Sequence, residues 1–365
     1  MQSISEKFES EITLSDAERF IELLGRSPVP DKKVTVDFSA CTWIDVGAGT
    51  LIGNALRRYA QNQLLEVIVP PIFSEKDFSG TWFKTFTRSG LGYAIAEHAP
   101  FIISNSEDIT SMIRNYYKRI ATSLANNVLI IKDIHEGTPI NINEREEFEK
   151  GFRKWLSDLN KDLIVFEGVD ISNVIGICYQ GLQNIFDHSY KKPLPENTKI
   201  LSYFAMRYYQ RILGKGERSR FFEGYLSRIS EKNGAKYHPQ FVELVVNDDG
   251  VGIPARQSQR SGIYWQAREQ EEATLKDALS GKSVKPITND AAIRGKPGLG
   301  YPEIADCLRR LGAFASLRTG RILATFDGTV KSLGSGWLFT QALTGRTNGY
   351  VPGTMLQVLI PLIPK

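Results

Sequence analysis

The segment CYQGLQNIFDHSY, residues 178–190, combines the apolar spacing of a buried helix with three regularly placed polar side chains. Gln180, Asn184 and His188 follow one another at intervals of four residues, just over one helical turn, so they stack along one side. Apolar residues cover the rest of the helix, which predicts that it packs into a core. The polar stripe is predicted to face water, a partner chain or a bound ligand.

The composition is typical of an ordinary globular protein. The 365 residues can form two or more domains, and a net charge of +4 does not by itself indicate nucleic acid or a membrane. Cys41, Cys178 and Cys307 are far apart and form no C-x-x-C motif, so they indicate neither zinc nor a disulfide framework. The start MQSISEKFESEI is unlike a signal peptide, and no apolar run approaches a membrane span. We therefore expect a cytoplasmic protein with no membrane association and with reduced cysteines.

The first third of the chain has the pattern of a small α/β unit. VTVDF is a short alternating strand, DVGAG is a turn, TLIGNALRRYAQ has helical spacing, and LLEVIVP is a buried strand closed by proline. We predict one α/β domain over residues 1–125 and a second over residues 126–365.

The second domain interleaves helix and strand patterns. FVELVVNDDGVGIP is predicted to be a strand that runs into a Gly-rich turn, and RGKPGLGYPEIADCLRRLG a Gly-rich loop that opens a helix. Pro302 suits the first turn of that helix, and Gly312 suits its C-terminal cap. The chain ends with four strand patterns, AFASLRT, RILATFDG, SGWLFTQAL and GTMLQVLIPLIP. This alternation predicts a layered α/β sandwich.

Four motifs of the second domain, in this order, resemble the GHKL ATPase superfamily. They are Gln180-x-x-x-Asn184-x-x-x-His188, Asp248-Asp249-Gly250-Val251-Gly252-Ile253, Gly295-Lys296-Pro297-Gly298-Leu299-Gly300-Tyr301, and Gly353-Thr354. The superfamily contains gyrase-type topoisomerases, mismatch-repair ATPases, histidine kinases and anti-sigma-factor serine kinases, and its ATP-binding fold is the Bergerat fold. The resemblance covers about residues 130–365 and implies an α/β sandwich of Bergerat type that binds ATP and Mg²⁺.

The resemblance assigns the adenine end of the site to the second and fourth motifs. The Asp248 carboxylate would accept a hydrogen bond from the adenine amino group, which gives base specificity. Gly250 and Gly252 would let the backbone pass close to the base, and Ile253 completes this nucleotide-binding motif. Thr354 would hydrogen-bond near the adenine, directly or through water.

The resemblance assigns the phosphate end to the third motif. Gly298, Leu299 and Gly300 would bring backbone N–H groups to phosphate oxygens at the start of a helix, where the dipole favours anions. Lys296 or Arg294 could pair with the terminal phosphate.

Two residues of the polar stripe bear on metal binding and hydrolysis. Asn184 would offer its amide oxygen to Mg²⁺, a hard cation that shares oxygen ligands with phosphates. Gln180 takes the position where hydrolysing members of the superfamily have a Glu as general base. A neutral amide can orient water but cannot accept its proton, so Gln180 argues against rapid hydrolysis and not against ATP binding. His188 could act as a base, and we favour instead a helix-face residue with a partner.

The polar region over about residues 254–297 takes the place of the ATP lid. It is rich in Gln, Ser, Lys and Glu, which suits a mobile cover that orders when the terminal phosphate is present. The basic stretch around residues 207–236 is interpreted as a solvated helical face with apolar residues inward, in preference to a nucleic-acid site.

In the first domain, VTVDFSACTWIDVGAGTLIGNALRRYAQ resembles the STAS fold of anti-anti-sigma factors and partner-switching proteins. There a strand ends in a turn that carries a phosphorylated Ser, and a helix follows. Residues 45–49 of this chain, DVGAG, lack that Ser, and Thr50 is the one nearby hydroxyl on the helix side. The resemblance then implies an interaction module rather than a phosphorylation target. The alternative is a generic α/β unit that buttresses the ATPase.

The sequence leaves three functions open. The first is an ATP-binding switch, in which Mg-ATP orders the lid and changes a surface that a partner protein reads. The second is a protein serine kinase of the anti-sigma type or a slow ATPase, and the third is a DNA-associated ATPase module. Gln180 favours the first two, and the missing Ser argues against self-phosphorylation in cis. Many members of the superfamily dimerise, so the resemblance also allows a homodimer.

Overall fold

The computed structural model describes residues 3–24, 33–60, 65–80, 83, 86–87, 89–120, 128–132, 146, 149–150, 153, 169–188, 202–209, 220–233, 240–250, 252–254, 268–281, 300–330, 336–340 and 351–362. The described residues form two compact units, one up to Ile130 and the other from Ile131 onward. The domain boundary predicted between residues 125 and 126 lies outside the described residues. Each unit contains both helices and strands, so the predicted α/β class is confirmed.

The first unit is a sheet with helices connecting its strands. Its described strands are β1 (Ser3–Lys7), β2 (Glu11–Ile12), β3 (Lys33–Asp37), β4 (Trp43–Ile44), β5 (Leu65–Ile68), β6 (Phe101–Ser104) and β7 (Glu107–Asp108). Its described α-helices are α1 (Leu14–Leu24), α2 (Val46–Ala60), α3 (Leu91–His98) and α4 (Thr110–Ile120). One sheet has the order β1-β3-β5-β6-β7, and its pairs are parallel except for β6 with β7.

The strand, helix and strand predicted in the first domain are present as β3, α2 and β5. The predicted turn DVGAG is wrong, because α2 begins at Val46 and includes the last four residues of that segment. Asp45 precedes the helix, and its Oδ1 accepts the N–H of Ala48 at 3.1 Å, which satisfies one of the free donors at the helix start. A Cβ placed on Gly49 would lie 2.6 Å from the Cβ of Ser89. The glycine therefore allows α2 to pack directly against the segment that precedes α3.

The second unit contains a larger sheet, and the first three residues of that sheet's first strand, residues 128–130, fall in the first unit. The strands of that sheet are β8 (Val128–Lys132), β9 (Ser202–Tyr209), β10 (Gln240–Asp248), β11 (Phe314–Gly320), β12 (Ile322–Asp327), β13 (Trp337–Thr340) and β14 (Val351–Leu362). The described α-helices are α5 (Ile171–His188), α6 (Arg220–Asn233), α7 (Arg268–Leu279) and α8 (Gly300–Leu311). The strand order is β13-β12-β11-β14-β10-β9-β8, and the pairs from β13 to β9 are antiparallel.

Helices cover both faces of this sheet. On β10, Phe241 packs against Tyr225 of α6, with ring centroids 6.3 Å apart, whereas Val246 lies against Gly181 of α5. Side chains five residues apart on a regular strand point to opposite faces, so α5 and α6 lie on opposite sides. Helix α8 packs beside α5 and also contacts β12.

The elements predicted around the motifs are also confirmed. FVELVVND forms β10, and the four C-terminal strand patterns form β11 to β14. Helix α8 has Pro302 in its first turn and ends one residue before Gly312, whose N–H donates to the Arg309 carbonyl at 3.2 Å. Within the described ranges, the chain has no helix with the length and apolar character needed to cross a membrane.

Candidate functional site

Three neighbouring strands place a row of polar side chains at one end of the second unit's sheet. Asp248 ends β10 and pairs with Thr354 of β14, which in turn pairs with Thr319 of β11. Directly opposed residues of antiparallel strands point to the same face, and Asp248 shares the face of Val246, which α5 covers. Asp248 is 5% exposed and Thr319 is 0% exposed. A buried carboxylate and two hydroxyls therefore lie side by side on this face.

The turn after β10 is held against β14 by close backbone contacts. The Gly250 N–H donates to Oδ1 of Asp248 at 2.8 Å. Gly252 and Gly353 have φ values of +78° and +74°, in the region that favours glycine. A Cβ on Gly353 would lie 1.9 Å from the Asp248 carbonyl oxygen, and a Cβ on Gly252 would lie 2.9 Å from the Gly353 carbonyl oxygen. The second and fourth predicted motifs can meet this closely only because both positions are glycine.

The Thr319 hydroxyl joins these two segments. It donates to the Gly353 carbonyl at 3.0 Å and accepts the Ile253 N–H at 3.0 Å. The Thr354 hydroxyl oxygen lies 3.3 Å from the same Thr319 oxygen. Sequence analysis did not select Thr319, because its place beside Thr354 depends on the register between β11 and β14. The strand pattern AFASLRT carries no signal of that register.

The predicted polar stripe of α5 faces the start of α8. Asp170 precedes α5, and its Oδ1 accepts the Ser172 N–H at 3.0 Å, so it caps the helix. Gln180 and Asn184 are both half-buried beside Gly300, the first residue of α8. A Cβ on Gly300 would lie 3.0 Å from Oδ1 of Asn184 and 3.2 Å from Oε1 of Gln180. Two amide side chains therefore lie at a helix N-terminus, which carries partial positive charge.

Tyr301 connects this helix start with the row of polar side chains on the sheet. Burial raises the pKa of the Tyr301 phenol, and the negative charge of Asp248 raises it further. Geometry also brings the two parts together, because Val246, two residues before Asp248 on β10, has its Cγ2 3.1 Å from the Cβ position of Gly181, the residue after Gln180. The carboxylate on β10 and the amides on α5 therefore lie on the same side of the sheet.

Asn184 has an unsatisfied polar atom in this site. Its Nδ2 is buried and has no hydrogen-bond acceptor among the described residues. A buried donor of this kind destabilises the fold unless a water or a bound group supplies an acceptor. The position of the atom beside Gly300 makes an anionic oxygen at the helix start a suitable acceptor.

The stripe also contacts a carboxylate that sequence analysis did not select. Nε2 of Gln180 donates to Oε2 of Glu303, in the first turn of α8, at 2.6 Å. Acidic residues are common in first turns because they complement the helix dipole. The local pattern therefore does not indicate that Glu303 contacts a side chain on a helix far away in the sequence.

Part of the predicted site lies outside the described residues. The residues outside the described ranges are Lys296, Gly298, Leu299 and Arg294, the alternative to Lys296. His188 is the last residue of α5, and its side chain lies outside the part of the chain that the structure describes. Of the predicted lid region, residues 268–281 and Pro254 are described.

Helix α7 lies inside the predicted lid region and is anchored to the turn between β11 and β12. Glu271 is 0% exposed, its Oε2 accepts the Arg321 backbone N–H at 3.1 Å, and its Oε1 accepts the Arg321 guanidinium at 2.8 Å. Leu275 and Leu279 of the same helix are buried. This part of the predicted lid region is buried along one side and paired with Arg321, and whether the region acts as a mobile cover stays a prediction.

The turn of the first unit that resembles a phosphorylation turn offers no accessible hydroxyl at Thr50. The Thr50 side chain is 1% exposed, and its Oγ1 donates to the Gly47 carbonyl at 2.9 Å. A phosphoryl group could not reach this oxygen without opening α2.

The described helix of the basic stretch buries its apolar side. Phe222, Tyr225 and Ile229 of α6 are buried, and the Arg228 guanidinium donates to Thr329 at 3.2 Å and also contacts Asp327. Arg228 therefore makes polar contacts within its own unit.

No protein-family model, curated protein or solved structure matches this chain. The chemistry of the site therefore has to be argued from its own residues. A buried carboxylate can select a ligand that donates hydrogen bonds, a helix start can hold an anion, and an amide oxygen can bind a hard cation.

Proposed function

We propose that the second unit is an ATP-binding domain of the GHKL type, and that Mg-ATP binding switches a surface read by a partner protein. The observation that carries the proposal is the convergence of Asp248, Thr354, Asn184 and Gly300, from four separate segments, at one end of the sheet. These are the segments that the superfamily resemblance selects. A chance set of Gly-rich turns would have no reason to meet a polar helix face at one place.

Asp248 would recognise the adenine amino group. Its Oδ1 accepts the Gly250 N–H, which orients the carboxylate, and a carboxylate is the acceptor type that pairs with an amino group. Guanine has a carbonyl oxygen where adenine has the amino group, and that oxygen would repel a buried carboxylate. Thr354 lies opposite Asp248 on β14 and offers a hydroxyl on the same face.

Asn184 and the start of α8 would hold the phosphates and the metal ion. The Asn184 side chain offers an oxygen, the ligand type that Mg²⁺ prefers, and a buried N–H group that suits a phosphate oxygen. Because Gly300 has no side chain, this residue does not separate the two amides from the first N–H groups of α8. The bound nucleotide would supply the remaining oxygen ligands of the metal.

The first unit would act as the interaction module. Its Thr50 hydroxyl is buried, which supports protein recognition over phosphorylation at this turn. The paired Arg228 on α6 gives no support to a DNA-associated function. A switch in which nucleotide and partner binding are coupled requires that the partner prefers one nucleotide state over the other.

Calorimetric titration of Mg-ATP into wild type and Asp248→Asn tests the proposal. We expect the wild type to bind and the variant to bind at least about tenfold more weakly, because a hydrogen bond to a charged group contributes about 1.5–3 kcal/mol. Asp249→Asn is the matched control, since it makes the same change one residue later, in the turn. GTP should bind more weakly than ATP to the wild type.

Two results would refute this reading. One is a folded wild type that binds no Mg-ATP. The other is an equal loss of affinity in Asp248→Asn and Asp249→Asn, which would show that the effect is not specific to the carboxylate on β10.

A further inference from the structure

The Gln180 side chain has a fixed amide orientation. Its Nε2 donates to Oε2 of Glu303 at 2.6 Å. A carboxylate offers hydrogen-bond acceptors, so the NH₂ end of the amide has to face Glu303. The other end of the amide, Oε1, lies 3.2 Å from the Cβ position of Gly300, the first residue of α8. Gln180 therefore presents a hydrogen-bond acceptor to the start of this helix.

A second amide oxygen faces the same point. Oδ1 of Asn184 lies 3.0 Å from the Cβ position of Gly300, and Asn184 follows Gln180 by four residues on α5. Side chains four residues apart are neighbours on one face of a helix, so both can reach one bound ion. Within the part of the chain that the structure describes, neither oxygen accepts a hydrogen bond. The two oxygens therefore form a pair of acceptors beside the first turn of α8.

A pair of acceptors at this place favours a cation. In the proposed function, the first N–H groups of α8 hold phosphate oxygens. An amide oxygen directed at phosphate oxygens would repel them unless a cation or a proton donor lies between. Amide oxygens are suitable ligands for Mg²⁺, an ion that is commonly shared between protein oxygens and the phosphates of a nucleotide. Both amide oxygens are therefore suited to one divalent cation that also binds phosphate.

We propose that Gln180 supplies a second amide oxygen, beside that of Asn184, to the metal ion of the bound nucleotide, and that Glu303 is the positioning residue that turns this oxygen toward the site. The inference rests on the proposed function, because it requires phosphates at the start of α8. Without the Glu303 acceptor, the Gln180 amide could turn over and direct its NH₂ group at the metal, which would repel a cation. Glu303 is not itself required as a metal ligand.

The test measures whether the loss of the Gln180 amide matters only when the metal is present. Calorimetry gives the Kd of full-length wild type and Gln180→Met for ATP in Mg²⁺ and for ATP in EDTA. Methionine has a similar length and flexibility and lacks the amide, so the change removes the oxygen with little loss of packing. Thermal unfolding checks that each variant is folded.

We expect the wild type to bind ATP more tightly in Mg²⁺ than in EDTA. Gln180→Met should raise the Kd for Mg-ATP by about tenfold, whereas its Kd for metal-free ATP should stay within about threefold of the wild-type value. A residue that supports only the fold, or that contacts the nucleotide directly, would change both constants by the same factor. The comparison with EDTA therefore separates a metal ligand from the other roles.

Glu303 is tested by removing its acceptor and then restoring it. Glu303→Met should raise the Kd for Mg-ATP by about tenfold and leave the Kd in EDTA unchanged, because the Gln180 amide loses its fixed orientation. Glu303→Gln keeps an acceptor oxygen for Gln180 and should recover most of the affinity. Asp306→Met is the matched control and should match the wild type, since it makes the same change three residues further along α8 at a side chain that is 62% exposed.

Several results would overturn the inference and leave the nucleotide site intact. One is a wild type that binds ATP equally well in Mg²⁺ and in EDTA. Another is a Gln180→Met variant whose Kd for Mg-ATP equals that of the wild type, or whose Kd rises equally with and without metal. Unchanged Mg-ATP binding in Glu303→Met would remove the positioning role. A wild type that binds ATP in neither condition refutes this inference together with the proposed function.

Discussion

Substitution of Thr319 by valine tests whether its hydroxyl holds the site together. Valine has nearly the same shape as threonine, so the change removes the hydroxyl and little else. The hydroxyl donates to the Gly353 carbonyl and accepts the Ile253 N–H, both at 3.0 Å. Thr319→Val therefore leaves a carbonyl and an N–H without their partner.

The expected loss of stability follows from the burial of these groups. Gly353 is buried, so its carbonyl should lose close to the full 1–3 kcal/mol that an unsatisfied buried group costs. Ile253 is half-buried, so water can replace part of its hydrogen bond. Together these contributions lower the free energy of unfolding by about 2–3 kcal/mol.

Thr325→Val is the matched control. The Thr325 side chain is 2% exposed on β12, and its Oγ1 has no hydrogen-bond partner among the described residues. Removing an unpaired buried hydroxyl should leave the stability unchanged or raise it by up to about 1 kcal/mol. Urea unfolding followed by tryptophan fluorescence, to which buried Trp337 contributes, measures both variants. Equal stabilities for the two variants at an unchanged m-value would refute the bridging role of Thr319.

Two further predictions concern buried ionisable groups. Glu271→Gln should lower the free energy of unfolding by about 2–3 kcal/mol, because it weakens the charge-assisted hydrogen bonds to Arg321. The control is Glu272→Gln, which changes a surface ion pair with Lys276 and should lower the free energy of unfolding by less than about 0.5 kcal/mol. The same urea assay measures both variants. Burial raises the pKa of the Cys41 thiol to about 12, and all three cysteines are buried, so Ellman's reagent at pH 8 should react far more slowly with native than with urea-unfolded protein. Equal reaction rates would contradict the buried placement of the thiols.

The sequence predicted the elements of the second unit because each has a strong local signal. The strand pattern before Asp248 and the helix pattern that begins near Gly300 appear as β10 and α8. Apolar periodicity and Gly or Pro punctuation are local properties, so they can be read without knowledge of the fold. The same reasoning explains why the two units could each be predicted as α/β.

The contacts that complete the candidate site could not be predicted in the same way. Thr319 joins the site through the register of β11 against β14, and a shift of one residue would turn it to the other face. Glu303 joins the site through the packing of α8 on α5, which brings it to Gln180 across 123 positions of sequence. Both residues have an ordinary local interpretation, as a strand threonine and a first-turn acid, so pattern alone gave no reason to select them.

The same strand end also connects the candidate site with the anchored helix. Thr319 ties Ile253 to β14, and two residues later Arg321 holds Glu271 of α7. A ligand that moved the Ile253 segment would therefore act on the end of β11 that carries the anchor. Because Glu271 is fully buried and bound by three hydrogen bonds to Arg321, α7 would stay attached to the sheet. In the proposed switch, α7 is then a fixed point within the predicted lid region.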